Sequence, residues 1–149
     1  MIDDTLKKGI LIELYCIEKF TELGYTCSIP YGNNSKYDVV VDINDKLYRI
    51  QCKSSTWAKD TTKEKVAFIM ATNHTTTNTT GTKRYTYNSN QVDFFYTYFN
   101  GEHYLVPIKE IEDKTAFRFR YLKNVKYQKS VIHIAEEYQL EKVINNLIH

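Results

Sequence analysis

Residues 37–53, YDVVVDINDKLYRIQCK, constrain the fold more than any other part of the chain. Two runs of alternating apolar residues meet at Asn44-Asp45, a pair whose side chains tolerate the left-handed conformation that a two-residue hairpin turn demands. With that turn, partners across the hairpin have positions summing to 89, so Ile43 faces Lys46 and Asp38 faces Gln51. Successive side chains point to opposite faces. Val39, Val41, Tyr48, Ile50 and Cys52 then form an apolar face, while Asp38, Gln51 and Lys53 gather on the other at the open end. The spacing alone is compatible with a polar hairpin mouth and with a reaction centre.

A helix precedes the hairpin. Asp3 or Asp4 can cap a helical stretch over LKKGILIELYCIEKFTEL that ends at Gly24, a residue suited to helix termination. Leu6, Ile10, Glu13, Ile17 and Phe20 fall on one stripe by three-and-four spacing, which places a carboxylate in an apolar face. A buried carboxylate needs a cation. Packing on the sheet can bring Glu13 toward Lys53, or toward a metal held by Asp38.

Short strands are expected at residues 25–29, 37–43 and 46–54, and a β-rich run at VAFIMAT. NHTTTNTTGT has no apolar periodicity and reads as a mobile surface loop. KRYTY, VDFFYTYF and HYLVPI read as a β-meander, with Asn100-Gly101 turning between the last two. PIKEIED reads as a short helical turn, AFRFRYL as a strand and AEEYQLEKVINNLIH as a closing amphipathic helix. This order argues for one α/β or α+β domain spanning residues 1–149, with a mixed sheet flanked by helices.

The three cysteines, Cys16, Cys27 and Cys52, form no CxxC pair, so neither a disulfide framework nor a zinc site is indicated. MIDDTLKK lacks an apolar leader core and no run reaches membrane-spanning length, so a cytoplasmic protein without membrane association is expected. The net charge of +2 hides an asymmetry, because residues 114–130 carry six basic side chains and no acidic one. Basic residues interleaved with aromatics are compatible with a nucleic-acid backbone footprint or with a solvated strand face.

Asp38 and Gln51 supply hard oxygen ligands suited to Mg²⁺, and Lys53 can stabilise charge developing on a phosphate. Several local features now combine: Gly9 and Glu13 four residues apart, Leu23-Gly24-Tyr25 at the helix end, Tyr37-Asp38, YRIQCK, then VDFFYTYF, YLVPI and AEEY at Ala135. In order and spacing the chain resembles the PD-(D/E)XK nuclease superfamily, and within it small bacterial and phage endonucleases of the group I intron-encoded homing type. The resemblance implies a restriction-endonuclease-like core and a Mg²⁺-dependent DNA endonuclease, with Mn²⁺ able to substitute. It further implies Asp38 as principal metal ligand, Gln51 as metal or water ligand, the Cys52 carbonyl as a ligand, Glu13 as a ligand through water, and Lys53 as the residue orienting the attacking water. Two departures stand out. Tyr37 replaces the motif's proline, and Gln51 replaces its second acid, which weakens the hold on a metal.

Cutting both strands of a duplex requires two copies of one site, so a homo-oligomer, dimer or tetramer, is expected. Ser54, Ser55, Thr56, Lys59, Lys63, Lys83, Arg84, Arg118, Arg120, Lys123, Lys126 and Lys129 are the candidate contacts to double-stranded DNA. Trp57 is expected to pack beneath the site, Tyr85 and Tyr87 to be strand residues, and His74 and Asp93 to carry no chemistry. Alternative readings are a structure-selective nuclease such as a Holliday junction resolvase, and a non-catalytic DNA-binding or assembly module with a degenerate site.

Overall fold

The computed structural model describes residues 1–32, 34–59, 65–121 and 132–149, so Lys63, Lys123, Lys126 and Lys129 lie outside the described residues. Helix α1 (Asp4–Glu22) starts where the Asp3 Oδ1 accepts the Leu6 N–H at 2.9 Å, a side-chain cap that satisfies one otherwise orphaned donor. It ends in a Schellman turn. Gly24, at φ +93, donates its N–H to Thr21 O at 2.9 Å, Tyr25 donates to Phe20 O at 3.0 Å, and the two rings meet edge-on at 6.4 Å.

Strands β1 (Thr26–Ser28), β2 (Val39–Ile43), β3 (Lys46–Cys52), β4 (Ser55–Trp57), β5 (Ala67–Ala71), β6 (Asn73–Asn78), β7 (Gly81–Thr86), β8 (Phe94–Phe99), β9 (Glu102–Pro107) and β10 (Ala116–Arg120) follow, then α2 (Leu140–Ile148). The β2–β3 hairpin has the expected register, Ile43↔Lys46 through Val39↔Ile50, with Asn44 and Asp45 at φ 53 and 67. The β8–β9 hairpin turns at Asn100-Gly101 as expected, and Ile108–Glu110 forms a short 3₁₀ turn.

A five-stranded sheet runs in the order β1-β2-β3-β8-β9, with β8 parallel to β3 and the other neighbours antiparallel. A bidentate pair locks the parallel register: Asp93 accepts Arg49 Nε at 3.1 Å and Nη2 at 3.2 Å, while Arg49 N donates to Asp93 Oδ2 at 2.8 Å. Val39, Val41, Ile50, Tyr96 and Leu105 face α1 and α2, which contribute Ile12, Cys16, Phe20, Leu140 and Ile144. On the opposite face Phe95, Tyr104 and Val106 pack against Phe68, Met70, Phe117 and Phe119 of a second sheet, ordered β10-β5-β4. Phe68 stacks between Phe99 at 4.4 Å and Phe119 at 4.5 Å. The mixed α/β fold is as expected, but helices cover one face and a small sheet the other.

Four details differ from the sequence reading. The buried stripe of α1 is Ile12, Cys16 and Phe20, whereas Leu6 and Ile10 are 56% and 38% exposed, because residues 1–10 are all exposed and the helix packs only beyond them. The Thr/Asn tract is no loop: β6 and β7 form their own hairpin, with β-branched threonines suited to strands. In consequence β7 pairs with β6 rather than continuing a meander into β8. The closing helix is broken, since Gln139 bridges Tyr104 of β9 and must be extended there (ψ 132), separating a 3₁₀ turn at Ala135–Tyr138 from α2.

Candidate active site

The site forms where β2 begins and β3 ends. Val39↔Ile50 is the last regular pair, and one residue earlier the Asp38 N–H donates to Ile50 O at 2.8 Å. Asp38 therefore does not continue the ladder to face Gln51. This correction to the expected register goes with a bond across the hairpin: the Cys52 N–H donates to Asp38 Oδ2 at 2.9 Å, drawing the carboxyl over the hairpin mouth.

Glu13, half-buried on α1, comes from the helical layer to the same place. Its carboxyl lies near enough to that of Asp38 for each to shift the other's protonation. Burial first, then the Asp38 charge and the hydrogen bond to it, push Glu13 from 4.5 up to about 7. Burial also raises Asp38, while the Cys52 N–H, Glu13 and the Lys53 charge oppose the rise. Two oxygen-rich groups brought together in this way form a natural seat for a cation, which would offset the charge that burial and their proximity disfavour. Among the described residues no group of three or more His, Cys, Asp or Glu side chains gathers for a metal, in keeping with Gln51 standing in place of a further acid.

Lys53 follows directly after β3. Its N–H donates to Tyr96 O at 2.9 Å, and its ammonium donates to Asn73 O at 3.1 Å and lies 5.8 Å from the centre of the Tyr87 ring. Burial lowers its pKa and the Asp38 charge works against that. Gln51 is half-buried two positions earlier, paired with Phe95 in the parallel ladder. The Cys52 thiol lies beside Cys16 in the helix-side core, and their hydrogen bond together with burial pushes it upward. Asn73 was not legible as a site residue because it lies in the tract expected to be a loop, and Tyr87, expected as a strand residue of KRYTY, lies just past β7 with its ring facing the Lys53 ammonium. The His74 and Tyr85 rings stack beside them at 4.9 Å.

The candidate DNA contacts are dispersed. Lys83 and Arg84 lie exposed on β7, Ser54 and Thr56 are exposed around β4, and Lys59 is exposed just beyond it. The Ser55 hydroxyl instead bonds Thr97 Oγ1 at 2.7 Å, on the inner side of the small sheet. Arg118 and Arg120 alternate with buried Phe117 and Phe119 and so belong to its outer side. Trp57 packs edge-on to Phe99 at 4.8 Å. A cavity of about 600 Å³ between the 3₁₀ turns and α2, lined by Phe94, Glu110, Tyr138 and Leu147 among others, includes none of the Glu13, Asp38, Gln51 and Lys53 cluster.

A helix-backed mixed sheet that brings two carboxyls and a lysine together at a strand end defines a nuclease of the PD-(D/E)XK class. The chain belongs to the PD-(D/E)XK endonuclease family, whose model matches residues 3–141. Nucleases of this family generally use divalent metals, and the family implies DNA as substrate. Among solved structures the fold is similar to a bacterial homing endonuclease, I-Ssp6803I, at a TM-score of 0.74 and 21% identity over 98% of this chain and 97% of that one. No curated protein matches the sequence. Among the described residues no helix is long and apolar enough to cross a membrane.

Proposed function

We propose that this protein is a Mg²⁺-dependent endonuclease of the homing or mobile-element type that cleaves double-stranded DNA as a homo-oligomer. The observation that carries the reading is the meeting of the Glu13 and Asp38 carboxyls beside Lys53. The likeness in fold to a bacterial homing endonuclease supports the narrower type.

Asp38 and Glu13, with the Gln51 amide and the Cys52 carbonyl, would hold the metal. When bound, the ion supplies an acidified water and offsets charge on the phosphate. The protein's own part begins with Asp38, whose carboxyl is oriented by the Cys52 N–H. Lys53, whose ammonium is favoured by the Asp38 charge and disfavoured by its burial, donates to the attacking water and to the phosphate oxygens as negative charge grows on them. The water oxygen bonds phosphorus while the P–O3′ bond breaks, leaving a 5′-phosphate and a 3′-hydroxyl. The water's proton passes to solvent, and the departing oxygen takes one up. Cytoplasmic residence suits such a protein and its three cysteines without a CxxC pair.

One observation favours a second reading. Gln51 removes an acid from the site, which would suit a DNA-binding module that no longer cuts. Incubation with linear, supercoiled and branched DNA in Mg²⁺ or Mn²⁺ decides between them. The nuclease reading requires cleavage by the wild type that Asp38→Asn and Lys53→Ala abolish; equal behaviour of all three proteins ends it.

A further inference from the structure

A lysine at a strand end has four rotatable bonds, so its ammonium works reproducibly only where something holds it. For Lys53 that support comes from the two ends of the β6–β7 hairpin. Asn73, the first residue of β6, accepts the ammonium at 3.1 Å, and Tyr87, just past β7, presents its ring 5.8 Å away.

The hairpin beyond its root is exposed on both faces, from Thr75 to Tyr85, so it cannot be fixed by burial of its own strands. The root is fixed differently. Thr72 is fully buried, donates its N–H to Thr115 O at 3.0 Å and its hydroxyl to Lys114 O at 2.7 Å. Tyr87, 5% exposed, packs edge-on against Phe95 at 5.1 Å, and Phe95 is the ladder partner of Gln51. Between these anchors lies His74. Its ring stacks on Tyr85 with an interplanar angle of 18° and approaches Tyr87 at 5.3 Å.

His74 Nδ1 is buried without a hydrogen-bond partner among the described residues. Burial, then the charges of Lys36 and Lys53, hold the ring below the usual histidine range. It serves as a flat neutral plate rather than as a cation.

We propose that His74 is a positioning residue: stacked on Tyr85 and set at a tilt against Tyr87, it holds the Asn73 carbonyl on the Lys53 ammonium. The hairpin whose tip carries Lys83 and Arg84 thereby aligns the lysine of the site at its root. This inference rests on the nuclease reading above for its consequence, though not for its geometry.

The test compares wild type, His74→Ala and His74→Phe. Duplex affinity is measured with Ca²⁺ in place of Mg²⁺, and single-turnover cleavage with Mg²⁺. Losing a support of this kind costs roughly 10- to 100-fold in rate. His74→Ala should therefore cleave about 10- to 100-fold more slowly at nearly unchanged affinity, and His74→Phe, which keeps the plate, should recover most of the rate. A His74→Ala enzyme that cuts like wild type overturns the inference. So does a Phe variant as slow as the Ala variant, or a loss residing wholly in affinity. The NMR signal of the Lys53 ε-carbon supplies a second readout that needs no catalysis. It should be single and sharp in wild type and His74→Phe and broadened in His74→Ala, and an unchanged signal counts against the clamp. A wild type that never cuts would sink the nuclease reading alone, leaving the clamp to be judged by that signal.

Discussion

Replacing Glu13 by Gln should make the metal-free protein more stable at alkaline pH, and the size of the effect follows from the burial of the Glu13 carboxyl and, after it, from the Asp38 charge beside it. Glu13 has an ordinary value of 4.5 when unfolded and about 7 when folded beside Asp38. Below 4.5 both states are protonated and the group contributes nothing to the pH dependence. Between the two values the native state binds more protons than the unfolded chain, so stability falls as pH rises, and the penalty is complete above about 7. The full shift corresponds to roughly 3 kcal/mol. Because the side chain is half-exposed, solvent screening reduces this to about 1–2 kcal/mol. Urea denaturation in EDTA at pH 4.5, 6 and 8.5 reads the effect directly. Wild type should lose about 1–2 kcal/mol relative to Glu13→Gln across that range, and saturating Mg²⁺ at pH 8.5 should return it. Parallel stability profiles for the two proteins would show that neither burial nor the Asp38 charge opposes the ionised Glu13, and would remove the basis of the cation seat.

Arg49→Ala should cost about 1–3 kcal/mol in urea denaturation, since it breaks a half-buried bidentate pair and leaves Asp93 without its counter-charge. Asp93 is held below the ordinary carboxylate range mainly by the Arg49 hydrogen bonds, against its burial. The pair's contribution is thus present at neutral pH and lost on acidification, so variant and wild type should converge in acid. Gln51→Glu restores the missing acid and should tighten Mg²⁺ binding by about tenfold in calorimetry; unchanged affinity would place position 51 outside the metal's reach.

The hairpin at the heart of the site was legible because two local rules agree. Period-two alternation and the Asn44-Asp45 turn together permit one register, and the structure has it. The helix ends were equally local, given by Asp3 and Gly24. What alternation could not reveal was the break at Asp38, which depends on a backbone donor fourteen residues away at Cys52. The rotation of the α1 stripe escaped because periodicity identifies an apolar side but not where along the helix the sheet begins. Strand β6 escaped because a strand wet on both faces leaves no apolar pattern, and with it went Asn73; Tyr87 was legible as a strand residue, but its approach to Lys53 depends on a tertiary contact that no local rule gives. The Arg49–Asp93 pair spans 44 positions, beyond the reach of any local rule.

In the proposed function Glu13 and Asp38 together seat a divalent ion beside Lys53, and an anomalous difference map from a Mn²⁺-soaked crystal would locate that ion. One strong peak is expected in contact with both carboxyls, adjacent to the Lys53 ammonium. A map featureless at that pair under saturating Mn²⁺, or with its peak elsewhere on the chain, would contradict it.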